Sequence, residues 1–131
     1  MAIETLSSAK LPRPRFRYSP LVKAGPFYKS AGMIGLDAAT GALAEGGAGA
    51  ETAKILENLL TALPDFDLTL DELMSVTIFT ADFGAFPAIN SAWEAVFAAD
   101  GHLPARTAVG VSALPLNAAV EMEFTFYKQS I

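Results

Sequence analysis

Cysteine is absent from the 131 residues and histidine occurs once. A disulfide framework and a thiol nucleophile are thereby excluded, and a zinc site built on Cys and His very nearly so. Long apolar runs are missing as well: no window approaches the roughly 18 consecutive apolar residues of a spanning helix. The first twenty residues, "MAIETLSSAKLPRPRFRYSP", lack the apolar stretch of a signal peptide. The expectation is a soluble, cytoplasmic protein with no membrane partner. Cations are scarce: nine Lys plus Arg against fourteen Asp plus Glu leave a net charge of −5, with a pI near 4.7. Six of the nine (Lys10, Arg13, Arg15, Arg17, Lys23, Lys29) precede residue 30. A nucleic-acid backbone is bound by clustered cations that release counterions. The remaining hundred residues offer almost none, so no nucleic-acid partner is expected.

What is present suffices for one core. Hydrophobic residues make up 52% of a chain about one domain long. A positive mean hydropathy of +0.36 asks for a deep core or for apolar surface buried between subunits. Residues 1–14, with Pro12 and Pro14 and little periodicity, read as a flexible N-terminal arm, and 15–131 as a single domain. "FRYSPLVKAG" and "FYKSAGMIGLD" form a hairpin turning at Gly25-Pro26. Ala53, Leu56, Leu59, Leu60 and Leu63 recur at helical spacing, which predicts a helix over about Ala50–Leu63, stopped by Pro64. A strand in "ELMSVTIFTAD" precedes a second helix with Phe86, Ile89, Trp93 and Val96 or Phe97 on one face, capped by Asp82 with Pro87 in its first turn. Two strands follow, "ARTAVGVSAL" and "AAVEMEFTFYK", joined at "PLNA". In the second, Val120, Met122, Phe124 and Phe126 face one way, and Glu121, Glu123, Thr125 and Tyr127 the other. The order β-β-α-β-α-β-β describes an α+β sandwich with two helices on one face of a mixed sheet.

Few residues carry chemistry. Arg106 follows Pro104-Ala105 at a loop-to-strand junction. Its planar fork can hold a carboxylate by two parallel hydrogen bonds, although a lone loop arginine is more often a surface charge. Glu121 sits mid-strand, where a carboxylate is costly unless it meets solvent, a partner or a cleft. Glu123 on the same side raises its pKa if both are desolvated, and such a carboxylate could position or deprotonate water. Tyr18 and Asn90 are polar groups on apolar elements, fit to bind a ligand or to satisfy backbone. Gly32 marks either a close backbone approach to a ligand or a bulge. "GGAGAET" has the glycines of an anion cradle but lacks the Gly-Lys-Ser/Thr end of a P-loop. His102, with no nucleophile or orienting acid in view, is a loop residue near the site.

With these residues placed, the chain from about 18 to 128 resembles the reactive intermediate deaminase family, the Rid or YjgF type often called endoribonuclease L-PSP. The most specific block is "PARTAVGVSALPLNAAVEME", which matches the family's Pro-Ala-Arg, hydrophobic strand, Leu-Pro turn and Glu after an aliphatic residue. "SAGMIGLDAATG", "TIFTADFGAFPAINSAWEAVF", "AKILENLLTAL" and Tyr18 support it in order and spacing. The resemblance implies a chorismate-mutase-like fold and a homotrimer with clefts between adjacent subunits. It implies hydrolysis of 2-imino or enamino acids, such as 2-aminoacrylate or 2-iminobutyrate, to 2-oxo acids and ammonia, with no metal or organic cofactor. Carried over by position, Arg106 grips the substrate carboxylate and Glu121 serves the hydrolytic water. Tyr18, Gly32, Asn90 and Ala108 line the cleft.

The match has departures. Ala108 stands where many members have cysteine, Thr107 replaces the usual Ser, Ala or Cys, and Ala31, Met33 and Gly35 alter one wall. The alternative reading is a non-catalytic binder of small carboxylates or 2-oxo acids using the same arginine. An endoribonuclease or translation inhibitor, as the family's label suggests, would need a cationic RNA path that this composition does not offer.

Overall fold

A computed structural model describes residues 2–129. Eight regular elements follow one another: β1 (Glu4–Leu6), β2 (Leu21–Ala24), β3 (Phe27–Ser30), α1 (Ala48–Ala62), β4 (Leu73–Thr80), α2 (Phe86–Glu94), β5 (Ala105–Gly110) and β6 (Val120–Tyr127). The strands form one sheet in the order β1-β2-β3-β6-β4-β5, mixed because β4 and β5 run parallel and every other pair antiparallel. The expected α+β class and the expected order from β2 onward hold.

Strand alternation builds the core. Val120, Met122, Phe124 and Phe126 are fully buried, and Val76 and Ile78 of β4 join them from the register positions opposite Phe124 and Met122. Ile55, Leu56 and Leu59 of α1 and Ile89, Trp93 and Phe97 in and after α2 close over the same sheet face. Each large apolar side chain buried this way contributes about 1.5–3 kcal/mol. The other face carries Glu121, Glu123 and Thr125 of β6 beside Phe79, Thr77 and Ser75 of β4. No helix among the described residues is long and apolar enough to cross a membrane.

Three expectations need correction. The stretch read as a flexible arm supplies β1, paired with β2, and Leu11 is only 9% exposed within the core. Ser8 Oγ donates to Asp65 at 2.6 Å and Lys10 pairs with the same carboxylate at 3.2 Å, fastening the segment beyond the end of α1. These are contacts across more than fifty residues, which no local periodicity announces. The buried face of α1 runs through Thr52, Ile55, Leu56, Leu59 and Ala62, whereas Ala53 and Leu60 face solvent. Polar Thr52 and Asn58 are inside, the latter donating to the Leu36 carbonyl at 2.7 Å, so apolar spacing alone rotated the predicted face. Finally, Asp82 starts a 3₁₀ turn, Phe83–Ala85, with no side-chain cap, and α2 begins at Phe86 behind Ala85.

Candidate active site in two halves

Strand β3 stops at Ser30, and pairing with β6 resumes at Met33, which exchanges backbone hydrogen bonds with Met122 at 2.7 and 2.9 Å. Between the Lys29–Thr125 and Met33–Met122 pairs, the first strand advances four residues and β6 three. The extra residue is a β-bulge, a feature that re-aims side chains. Ser30 Oγ accepts the Phe124 N–H at 2.9 Å where the ladder is broken.

Gly32 lies in this bulge, directly against Glu121. A Cβ added there would overlap the carboxylate, with Glu121 Cδ only 2.8 Å away. The bulge reading of Gly32 holds, and the group packed against its backbone is the Glu121 carboxylate. Burial, and secondarily the charge of Glu123, push the Glu121 carboxyl above its ordinary value of 4.5. Lys29 pairs with Glu123 at 3.2 Å, while Glu121 has no ion-pair partner among the described residues.

Glu121, Gly32 and Tyr18 share a cavity of about 600 Å³. Its apolar wall includes Leu11, Phe16, Met33 and Leu116, and Arg13 and Arg15 also line it. Arg15 is anchored by donating to the Gly41 carbonyl at 2.8 Å. Leu11 and Arg13 are not legible as cavity wall because they fall in residues 1–14, which read as an arm, and Arg15 and Phe16 because they read as the lead into the first hairpin strand.

Gly32→Ala is expected to displace the Glu121 carboxylate and cut turnover while leaving the melting temperature nearly unchanged, because the flexible end of Glu121 can yield. Steady-state rates with thermal melts check this; wild-type kcat would show that the carboxylate's position does not matter.

Arg106 and Ala108 lie elsewhere. In the parallel ladder Arg106 pairs with Val76 and Ala108 with Ile78, so both side chains project to the helix-covered face. Glu121 pairs with Phe79 and projects to the opposite face. The arginine and the glutamate are also separated by the whole of β4, since the order is β6-β4-β5. Arg106 sits on an exposed edge strand, its guanidinium carbon 5.1 Å from the Trp93 ring centre and 5.5 Å from that of Phe86. Among the described residues it forms no ion pair.

Asn90 shares this half, one turn after Phe86 and three residues before Trp93 on α2. Its Oδ1 is buried with no hydrogen-bond partner among the described residues, an acceptor left open. Ala108 is half-buried two residues beyond the arginine. The structure thus groups Tyr18, Gly32 and Glu121 in one place, and Arg106, Asn90 and Ala108 in another. Phe86 and Trp93 were legible only as core residues. Their helical spacing to Asn90 was visible, but their approach to Arg106 depends on the β4–β5 register.

Two other motifs fall outside both halves. His102 Nε2 donates to the Leu73 carbonyl at 2.7 Å, tying the α2–β5 connection to the start of β4. Glu51, in the first turn of α1 after the glycines, is buried and accepts the Ala119 N–H at 2.8 Å. No group of three potential metal ligands occurs among the described residues.

A family model described as Endoribonuclease L-PSP matches residues 8–127. A RutC family protein of Pyrococcus abyssi is 33% identical over 129 residues, covering 98% of this chain and all of the relative. The 2-iminobutanoate/2-iminopropanoate deaminase of Mus musculus is 32% identical over 120 residues, covering 92% and 87% of the two chains. The crystal structure of RidA from an Antarctic Psychrobacter superposes with a TM-score of 0.87 at 29% identity, covering 95% of this chain and 98% of the other.

Proposed function

We propose that this chain, which belongs to the Endoribonuclease L-PSP family of Rid or YjgF type, hydrolyses reactive 2-imino and enamino acids such as 2-aminoacrylate or 2-iminobutyrate to 2-oxo acids and ammonia. The observation that carries the reading is an arginine fork with no ion pair among the described residues, poised at a sheet edge. Such a fork is suited to bidentate capture of a small carboxylate. The named deaminases among the relatives support the reaction class.

In this reading the complete site lies between adjacent subunits of a homotrimer. Arg106, Asn90 and the β5 backbone at Ala108 come from one chain, and Glu121, Gly32 and Tyr18 from its neighbour. The projection of Arg106 and Glu121 to opposite faces of one sheet supports this division, because neither chain alone can bring them to a common substrate. The exposed strand β5 is also the kind of edge that proteins ordinarily cover.

Once the carboxylate is held by Arg106, the imine carbon is fixed relative to the neighbour's Glu121. Glu121 accepts a proton from water as the water oxygen bonds to that carbon, and the C=N π pair moves to nitrogen, which takes that proton from Glu121 to give a neutral amino alcohol. The tetrahedral adduct then collapses: Glu121 takes the hydroxyl proton and passes it to nitrogen, the carbonyl forms, the C–N bond breaks, ammonia leaves and Glu121 is again ionised. Water already attacks imines unaided, so orientation and one placed base supply the acceleration. These steps draw on water, Arg106 and Glu121 alone.

The test is release of ammonia and 2-oxo acid from freshly generated 2-aminoacrylate or 2-iminobutyrate, with spontaneous hydrolysis subtracted. The expected result is acceleration proportional to enzyme. Hydrolysis at the spontaneous rate would overturn the proposal and, with carboxylate binding intact, return the non-catalytic binder.

A further inference from the structure

We infer that Trp93 and Phe86 are positioning residues that hold the Arg106 guanidinium by its faces and leave its N–H fork free for the substrate carboxylate. The inference rests on the reading of Arg106 as the carboxylate clamp. An arginine on an exposed edge strand has four side-chain torsions to freeze, and freezing them on binding costs affinity. Here the guanidinium already lies over two rings, at 5.1 Å from Trp93 and 5.5 Å from Phe86. A cation within about 6 Å of a ring centre is attracted by the ring's quadrupole, and arginine in addition stacks its planar group.

The rings are themselves fixed. Trp93 is 7% exposed and stacks on Phe97 at 4.0 Å and 23°. Phe86 stacks on Phe83 at 4.9 Å and 21°. The platform is therefore two backed aromatic pairs, both anchored by α2, seven residues or about two helical turns apart. Asn90 lies between them on the same helix face, its buried Oδ1 still without a partner among the described residues.

This arrangement uses ring faces in place of an acidic partner. A carboxylate beside Arg106 would orient it equally well but would occupy the donors and cancel the charge that the substrate needs. Rings orient the group and do neither. The core role of Trp93 does not require this contact, since a leucine of similar packing would fill apolar space without attracting a cation.

The experiment measures binding of 2-oxobutyrate, a stable carboxylate product, by calorimetry, together with kcat and KM on 2-iminobutyrate. The variants are Trp93→Leu, Trp93→Phe, Phe86→Leu and Arg106→Ala. Trp93→Leu and Phe86→Leu are each expected to weaken 2-oxobutyrate binding roughly 5- to 20-fold. KM should rise by a similar factor with a much smaller change in kcat, and Trp93→Phe should restore most of the affinity. Phe86 is only partly buried, so its variant carries the test even where the tryptophan variant fails to fold. Wild-type affinity in Phe86→Leu, with binding lost in Arg106→Ala, overturns the aromatic platform and leaves the clamp standing. Wild-type affinity in Arg106→Ala instead overturns the clamp itself.

Discussion

Arg106→Ala is expected to lower kcat/KM on 2-iminobutyrate by roughly 10²–10⁴-fold and to remove measurable 2-oxobutyrate binding. Two charge-assisted hydrogen bonds at about 1.5–3 kcal/mol each set that range, because a bidentate carboxylate loses both together. The fold should not notice. Arg106 is exposed on the edge strand, has no ion pair among the described residues, and gives up only its contact with two rings. Arg106→Lys should fall between the two, keeping the charge but losing the planar fork and the stacking. Steady-state kinetics, calorimetry and a thermal melt together separate a lost clamp from a lost fold. A variant with wild-type kcat/KM would sink the proposed chemistry.

Glu121→Gln is expected to lower kcat by roughly 10²–10⁴-fold while sparing carboxylate affinity, because it removes the base but not the clamp. Its pH behaviour follows from the raised pKa, caused first by burial and then by Glu123. If the ionised form is the base, wild-type activity should rise with pH through an inflection above the ordinary glutamate value of 4.5. The variant should lack that limb. Stability runs the opposite way: a carboxyl raised in the folded state stabilises fully below its unfolded value, and that contribution is lost as pH rises through the folded one. Glutamine is never charged, so the variant should melt above wild type at pH 7 and lose the advantage at pH 4. Equal melting at both values would show that the Glu121 carboxyl is not perturbed.

The same pair tests the division of the site. If Arg106 and Glu121 act from neighbouring subunits, mixed assembly of Arg106→Ala with Glu121→Gln chains regains activity. Equal random mixing should place both native groups at about a quarter of the clefts. Two inactive variants that stay inactive when co-assembled would mean that one chain supplies both groups.

The chemistry-bearing residues were legible for different reasons. Arg106 and Glu121 stood out as charges set beside constrained or apolar neighbours, and the family resemblance supplied the roles proposed for them. Gly32 was ambiguous in sequence, because a bulge and a close approach to a ligand leave the same mark; one residue of register shift between Lys29 and Met33 shows the bulge. Asn90 could be placed on a helix but its unpaired oxygen could not, since satisfaction depends on every neighbour. Leu11 and Arg13 were hidden by Pro12 and Pro14, which make residues 1–14 look like an arm, and Arg15 and Phe16 by the extended pattern that follows.

By itself the sequence determined what repeats locally. Alternation in "VEMEFTFY" set the buried face of β6, helical spacing set α1 and α2, and Gly-Pro set the hairpin turn, because each depends on geometry within a few residues. Only the tertiary structure decided what depends on pairing between distant segments. The strand order β6-β4-β5 and its registers send Arg106 toward Trp93 and Phe86 and Glu121 toward Gly32, on opposite faces. Side chains alternate along every strand, so a slip of one residue in either ladder would have reversed one of them, and no spacing along the chain records which register forms.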